Sequence, residues 1–131
     1  MSGAPSLQYL AFDYGTKRVG VASGNTVIGR ASPLATIAAE GDARFAKIAA
    51  LIAEWRPDAL VVGIPRHPDG APHDNTRRAE RFARQLHGRF RLAVHEVDER
   101  YTTVEALAAG AGDVDAASAA LILDQYLGTL E

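Results

Sequence analysis

Apolar residues along this chain follow two different patterns, one typical of strands and one of helices. Near the start, two apolar runs flank a polar turn at residues 13–18, which predicts a β-hairpin with strands over residues 7–13 and 18–23. Residues 59–64 form a continuously apolar run, typical of a strand covered on both faces. Two further strands are expected, over residues 26–33 and 90–97, with an extended or irregular segment at 32–37.

Helical spacing of apolar residues begins after residue 41. Asp42 is expected to cap a helix that runs to about Trp55. A second helix is expected to begin at Asp74 or Asn75 and to be closed by Gly88 in a left-handed conformation. The inward faces of these two helices are predicted as Phe45, Ile48, Ala49, Ile52 and Trp55 in the first and Ala79, Phe82, Ala83 and Leu86 in the second.

Two more helices are predicted in the last third of the chain. Residues 102–105 (TTVE) match the capping box of a helix N-terminus. Asp113 is expected to cap a last helix from residue 114 to about 127. The resulting order β-β-β-α-β-α-β-α-α predicts an α/β fold. Its mixed sheet has an antiparallel first hairpin, then parallel strands, with helices on both faces.

Length and composition limit the class of protein. The chain has 131 residues, 47% of them hydrophobic and 23% charged, so we expect a single domain over residues 1–131 with an ordinary core. It has no cysteine, which excludes disulfides and thiolate sites. No apolar run approaches the roughly 20 residues of a membrane helix, and residues 1–6 do not resemble a secretory signal. We therefore expect a cytoplasmic protein without a membrane partner.

The small net charge of -2 conceals a strong asymmetry. Residues 77–91 contain six arginines and one acid, whereas residues 96–131 contain eight acids and one base. This arrangement predicts a polyanion-binding face beside a cation-binding site. The alternative interpretation is an ordinary solvated helix face.

Three acids occupy comparable places in the predicted fold. Asp13 ends the first strand, Glu99 follows the last strand beside Asp98, and Asp115 lies in the first turn of the last helix. Ligands of open α/β sheets collect at the carboxyl ends of strands, so we expect the three carboxylates to converge there. A divalent cation would relieve their repulsion, and oxygen ligands without cysteine favour Mg²⁺ or Mn²⁺, with two ions acting on a phosphodiester. Taken singly, each acid could instead be a turn, cap or surface residue.

Four motifs resemble those of a known family. They are residues 13–22 (DYGTKRVGVA), 61–65 (VVGIP) followed by 69–70 (DG), 98–103 (DERYTT) and 114–120 (VDAASAA). In this order they resemble the YqgF/RuvX family of RNase H-like proteins. The resemblance implies an RNase H-like fold and a metal-dependent nuclease that matures the 5′ end of pre-16S ribosomal RNA. Members have also been described as Holliday-junction resolvases, by likeness to RuvC.

The same resemblance implies that Asp13, Glu99 and Asp115 are the catalytic, metal-binding acids. The chain departs from the family pattern at residues 23–25 (SGN), where many members carry an Asp, at residues 66–68 (RHP) and at Tyr101. None of these departures removes a proposed metal ligand.

The cations near these motifs are predicted to bind nucleic acid, chiefly through phosphates. They are Lys17, Arg18, Arg66, Arg77, Arg78, Arg81, Arg84 and Arg100. The expected partner is an rRNA precursor or branched DNA. The protein is expected to be a monomer or a homodimer, and a stable dimer would favour branched DNA because paired cuts need two-fold symmetry.

Two other functional hypotheses use parts of the same pattern. A non-catalytic RNA-binding assembly factor would need the arginines but not the acids. A nucleotide-phosphate binder of the actin/hexokinase type also has an Asp-x-Gly-Thr motif after a strand, as at residues 13–16, but it needs two lobes. His67 and His73 are interpreted as exposed loop residues, and His95 as a packed residue of a strand.

Overall fold

A computed structural model describes residues 6–66, 69, 71, 75–98 and 114–130 of the chain. The described strands are β1 (Gln8–Asp13), β2 (Val19–Asn25), β3 (Ala31–Ile37), β4 (Ala59–Ile64) and β5 (Ala93–Asp98). The described helices are α1 (Gly41–Trp55), α2 (Thr76–Phe90) and α3 (Val114–Gly128).

The strands form one five-stranded sheet in the order β3-β2-β1-β4-β5. Strand β1 pairs antiparallel with β2 and parallel with β4, and β4 pairs parallel with β5. The predicted mixed sheet, with an antiparallel hairpin followed by parallel strands, is confirmed. Strand β4 is buried along its whole length, as its continuously apolar run predicted.

Helices cover both faces of the sheet, as predicted. In β1, Leu10 and Phe12 pack into a core with α1 and α2, whereas Tyr9 and Ala11 pack with α3 on the opposite face. This division follows from the strand period of two, which sends alternate side chains to opposite faces. By the same alternation Asp13 lies on the face covered by α3.

Strand β3 was predicted too early in the chain. Residues 26–29 form a turn, in which Asn25 Oδ1 accepts the N–H of Ile28 at 2.8 Å, and β3 follows as Ala31–Ile37. The segment expected to be extended or irregular is therefore the edge strand itself. Pro33 is tolerated there because an edge strand leaves one row of N–H groups without ladder partners, and the register shifts beside it, between Val21 and Ala22 of β2.

The predicted C-terminal end of α2 and the predicted cap of α1 were wrong, whereas the end of α1 at Trp55 and the cap of α2 at Asn75 are confirmed. Gly88 does not close α2, which continues to Phe90, and Arg91 takes the left-handed conformation with φ 55°. Strand β5 consequently begins at Ala93 rather than at residue 90. Asp42 is not the cap of α1: Glu40 holds that position and makes no side-chain capping bond.

The inward faces of the helices were predicted more accurately. All four predicted residues of α2 are buried. In α1, Phe45 and Ile48 are buried, Ile52 and Trp55 are partly buried, and Ala49 is exposed. His95 stacks on Tyr126 with ring centroids 5.0 Å apart, so it is a packed residue as expected.

Several predictions lie outside the described residues. They concern the helix at 102–105, the cap at Asp113, the loop residues His67 and His73, and the site residues Glu99 and Arg100. In the part of the chain that the structure describes, none of the helices is long and apolar enough to cross a membrane.

Candidate active site

Asp13 ends β1, a central strand of the sheet. It lies opposite Gly20 of β2 in the antiparallel register and beside Gly63 of β4 in the parallel register. Both neighbours are glycines, so no side chain from either paired residue fills the space next to the carboxylate. Asp13 therefore projects from a rigid strand end into space left by its neighbours.

The start of α3 comes close to this strand end because the β2 residues below it are small. A Cβ added at Gly20 would overlap the main-chain carbonyl of Asp115. Further along β2, Ala22 packs against Ala119 and Ala120. Since Gly20 lies opposite Asp13 in the hairpin, this contact brings the first turn of α3 and Asp115 next to Asp13.

The two carboxylates affect each other electrostatically. Burial, and after it the negative charge of Asp115, raises the pKa of Asp13 from 3.8 to about 7. The direction is the one expected when like charges repel each other, and burial is the larger cause. Within the described residues, the side-chain carboxylate of Asp13 has no hydrogen bond and no ion pair.

Asp115 has a cationic neighbour that Asp13 lacks. Its Oδ2 lies 3.0 Å from Nε of Arg18, whose side chain is 64% exposed. Arg18 belongs to the hairpin turn between β1 and β2. It therefore adds a solvent-exposed positive charge at the rim of the acid pair, where a phosphate would approach.

A divalent cation fits the chemistry of this acid pair. Asp13 and Asp115 offer hard oxygen ligands, and a cation would replace the proton that Asp13 retains up to about pH 7. Among the residues that the structure describes, no group of three metal-ligating side chains is found. The third predicted ligand, Glu99, lies outside those residues.

Asp98, the neighbour of Glu99, belongs to a different group of charges. Val97 packs with the α3 face, so strand alternation directs Asp98 to the α2 face. There it lies 4.0 Å from Nε of Arg66, and Nη2 of Arg66 lies 3.6 Å from Glu80. Asp98 is therefore separated from Asp13 by the sheet. Arg66, predicted to bind nucleic acid, ties the ends of β4 and β5 to α2.

The four predicted arginines of α2 are all exposed. Arg78 and Arg81 line a cleft between α1 and α2. Arg84 lines a different groove, between α2 and β5, and Arg77 lines neither. Lys17 is exposed in the hairpin turn.

Two positioning residues escaped the sequence reasoning. Gly20 could have been found, because Gly20, Ala22 and Gly24 are small residues at alternate positions of β2. Arg44 could have been found as well, since it lies four residues before Ile48 on the inner face of α1. It is only 5% exposed.

The sequence is similar to a protein family and to named bacterial proteins. The family model RuvX, described as Holliday junction resolvase, matches residues 7–129. A protein of Albidiferax ferrireducens named "Putative pre-16S rRNA nuclease" is 64% identical over 125 residues, covering 95% of this chain and 80% of the relative. One of the same name from Polaromonas sp. is 64% identical over 122 residues, covering 93% and 88%.

Solved structures show the same fold at low sequence identity. T. thermophilus RuvC in complex with a Holliday junction substrate superposes with a TM-score of 0.58 and 13% identity, covering 94% of each chain. Archaeoglobus fulgidus Pelota gives a TM-score of 0.54 with 11% identity, covering 95% of this chain and 34% of Pelota. The likeness to RuvC confirms the predicted RNase H-like fold. With the family match over residues 7–129, it shows that the chain belongs to the RuvX (YqgF) family.

Proposed function

We propose that residues 1–131 form a single metal-dependent nuclease domain that hydrolyses phosphodiester bonds at the 5′ end of a 16S rRNA precursor. The observation that carries the proposal is Asp13: a carboxylate with a raised pKa and no described partner, facing Asp115 at a central strand end. Family membership and relatives named as pre-16S rRNA nucleases support the choice of substrate.

The metal ligands proposed are Asp13, Asp115 and Glu99. Mg²⁺ or Mn²⁺ bound by these oxygens would supply the positive charge that activates water and stabilises the leaving oxygen. Asp13 contributes a fixed position, because it is held in register with β2 and β4. Asp115 contributes the second oxygen ligand from the first turn of α3.

The cations would bind and orient the substrate. Arg18, exposed beside Asp115, is placed to bind a phosphate next to the one that is cleaved. The arginines of α2 and Lys17 would neutralise phosphates further along the strand without reading bases. Arg100 is proposed for the same role from the motif that it shares with Glu99.

The second candidate is cleavage of four-way DNA junctions. The description of the family model as Holliday junction resolvase favours it. Symmetric cutting of a junction requires two active sites related by two-fold symmetry, so this activity predicts a stable homodimer.

The test compares cleavage of a 5′-extended 16S rRNA fragment with cleavage of a synthetic four-way DNA junction. Each substrate is incubated with Mg²⁺, with Mn²⁺ and with chelator. We expect cleavage of the rRNA fragment with either ion and none with chelator. Junction cleavage by a dimer, with the rRNA fragment intact, would replace the first candidate with the second.

Conservative variants separate the proposed site from contaminating activity. Asp13→Asn, Glu99→Gln and Asp115→Asn should each reduce cleavage by orders of magnitude, because several kcal/mol of transition-state stabilisation is lost. Glu54→Gln, an amide change at an exposed acid of α1, is the matched control and should remain active. If Asp13→Asn cleaves at the rate of the unaltered protein, the site is wrong. Retained RNA binding would then favour a non-catalytic RNA-binding factor.

A further inference from the structure

A cleft of about 280 Å³ lies on the face of the sheet opposite α3, where α1, α2 and the turn after β1 meet. Three arginines line it: Arg44, Arg78 and Arg81. Its apolar wall is formed by packed rings, with Phe82 centred 5.2 Å from Tyr14 and 5.9 Å from Phe45. The cleft is thus a defined concavity with cations along its sides.

Arg44 is a buried cation without a counterion among the described residues. Its Nε–H donates to the carbonyl of Ala39 at 2.8 Å, and its Nη2 donates to the carbonyl of Thr16 at 3.1 Å. A guanidinium has five N–H donors, so these two bonds leave donors available. No described carboxylate lies within ion-pair distance of it. Because an uncompensated buried charge is costly, an anion in the cleft would be stabilised.

The other two arginines of the cleft are also without described carboxylate partners, although Arg78 donates to Asn75. Other arginines are paired: Arg66 with Glu80 and Arg89 with Asp42. Among the described residues that line the cleft, Glu40 is the one acid and three are arginines, so positive charge is in excess.

The start of α1 adds to this positive potential. Glu40 makes no side-chain capping bond, so it leaves the first-turn N–H groups of a 15-residue helix without a side-chain cap. The N-terminal end of the helix macrodipole is positive as well. Guanidinium groups without a described carboxylate partner and a helix start without a side-chain cap together favour a compact, multiply charged anion.

We infer that this cleft holds a backbone phosphate of the polynucleotide that is cleaved at Asp13, at a distance from the cleaved phosphate itself, an inference that rests on the proposed nuclease function. Thr16 lines the cleft three residues after Asp13, so their Cα atoms are at most about 11 Å apart. Asp13 lies on the face covered by α3 and the cleft lies on the opposite face, so a strand that reaches both sites would pass around the hairpin turn.

The inference is tested by measuring RNA affinity as a function of salt. A single-stranded RNA oligonucleotide is titrated in the presence of chelator, so that no cleavage occurs. Arg78→Ala/Arg81→Ala should weaken binding and reduce the salt slope by about 0.7 for each phosphate that the variant no longer neutralises. The matched control is Arg30→Ala/Lys47→Ala, which removes two exposed cations that do not line the cleft and should keep the slope.

Two single variants test the cleft without large charge removal. Glu40→Gln should strengthen RNA binding, because it removes a negative charge beside the phosphate. Arg44→Lys keeps the charge but loses the forked donors and should weaken binding more than Lys47→Ala does. Thermal unfolding of each variant identifies any loss of affinity that comes from misfolding.

An unchanged salt slope in folded Arg78→Ala/Arg81→Ala would overturn the inference. A second result would also overturn it. Adenosine monophosphate would stabilise the unaltered protein but not this variant, while the salt slope of RNA binding would be the same in both. That result would make the cleft a small-molecule site. The titrations do not depend on cleavage. If the nuclease assay shows no activity, a reduced salt slope in the variant therefore still supports phosphate binding in the cleft. An active enzyme with an unchanged slope would refute the cleft alone.

Discussion

Asp13→Asn should change the pH dependence of stability, and the structure determines the sign. Burial and then the charge of Asp115 raise the pKa of Asp13 from 3.8 to about 7 in the folded state. The folded protein therefore holds this proton more tightly than the unfolded chain does. Stability is consequently lost as pH rises through this interval and Asp13 ionises.

The magnitude follows from the same two pKa values. Each tenfold difference in proton affinity is worth about 1.4 kcal/mol. With the pKa raised from 3.8 to about 7, ionisation of Asp13 costs at most about 4 kcal/mol of unfolding free energy in the absence of metal. The amide introduced by Asp13→Asn is neutral at every pH, so the variant escapes this loss. Its unfolding free energy should exceed that of the unaltered protein at pH 8 and match it near pH 4.

The assay is urea unfolding followed by circular dichroism, from pH 4 to pH 8.5 with chelator. Glu54→Gln, at an exposed position of α1, is the control and should follow the unaltered protein at each pH. Adding Mg²⁺ at pH 8 should stabilise the unaltered protein more than Asp13→Asn, because a ligand stabilises the folded state that binds it. Parallel pH profiles for Asp13→Asn and the unaltered protein would refute the reasoning, since Asp13 would then ionise normally.

Two further changes test how the site is positioned. Gly20→Ala should push the start of α3 away from β2, because the new Cβ overlaps the carbonyl of Asp115. We expect a loss of about 1–3 kcal/mol in thermal unfolding and about a hundredfold in cleavage. Gly88→Ala is the control, because no atom lies within 4 Å of the added Cβ, and it should stabilise α2 by about 0.5–1 kcal/mol. Equal effects of the two changes on stability would contradict this account. Arg18→Ala should cost less than about 1 kcal/mol of stability, because the ion pair of Arg18 with Asp115 is exposed. The same change should weaken RNA binding in a filter assay. Undiminished affinity would exclude Arg18 from substrate binding.

Local sequence patterns predicted the elements whose burial follows a simple period. Residues 59–64 are apolar without interruption, and β4 lies between two strands and under helices on both faces. Helical spacing of Ala79, Phe82 and Leu86 likewise identified the buried side of α2. The pattern did not predict boundaries that depend on local hydrogen bonds. The turn closed by Asn25 places the start of β3 later in the chain than predicted, and Arg91 rather than Gly88 ends α2.

The sequence by itself identified the family motifs, the mixed α/β order and Asp13 as an acid at a strand end. Only the tertiary structure decided what surrounds that acid. The approach of α3 over Gly20 sets the environment of Asp13, because pKa depends on burial and on charges that are distant in sequence. The burial of Arg44 between carbonyls of two loops is likewise a property of packing. Residue order specifies which groups are available, and their free energies depend on neighbours that only folding brings together.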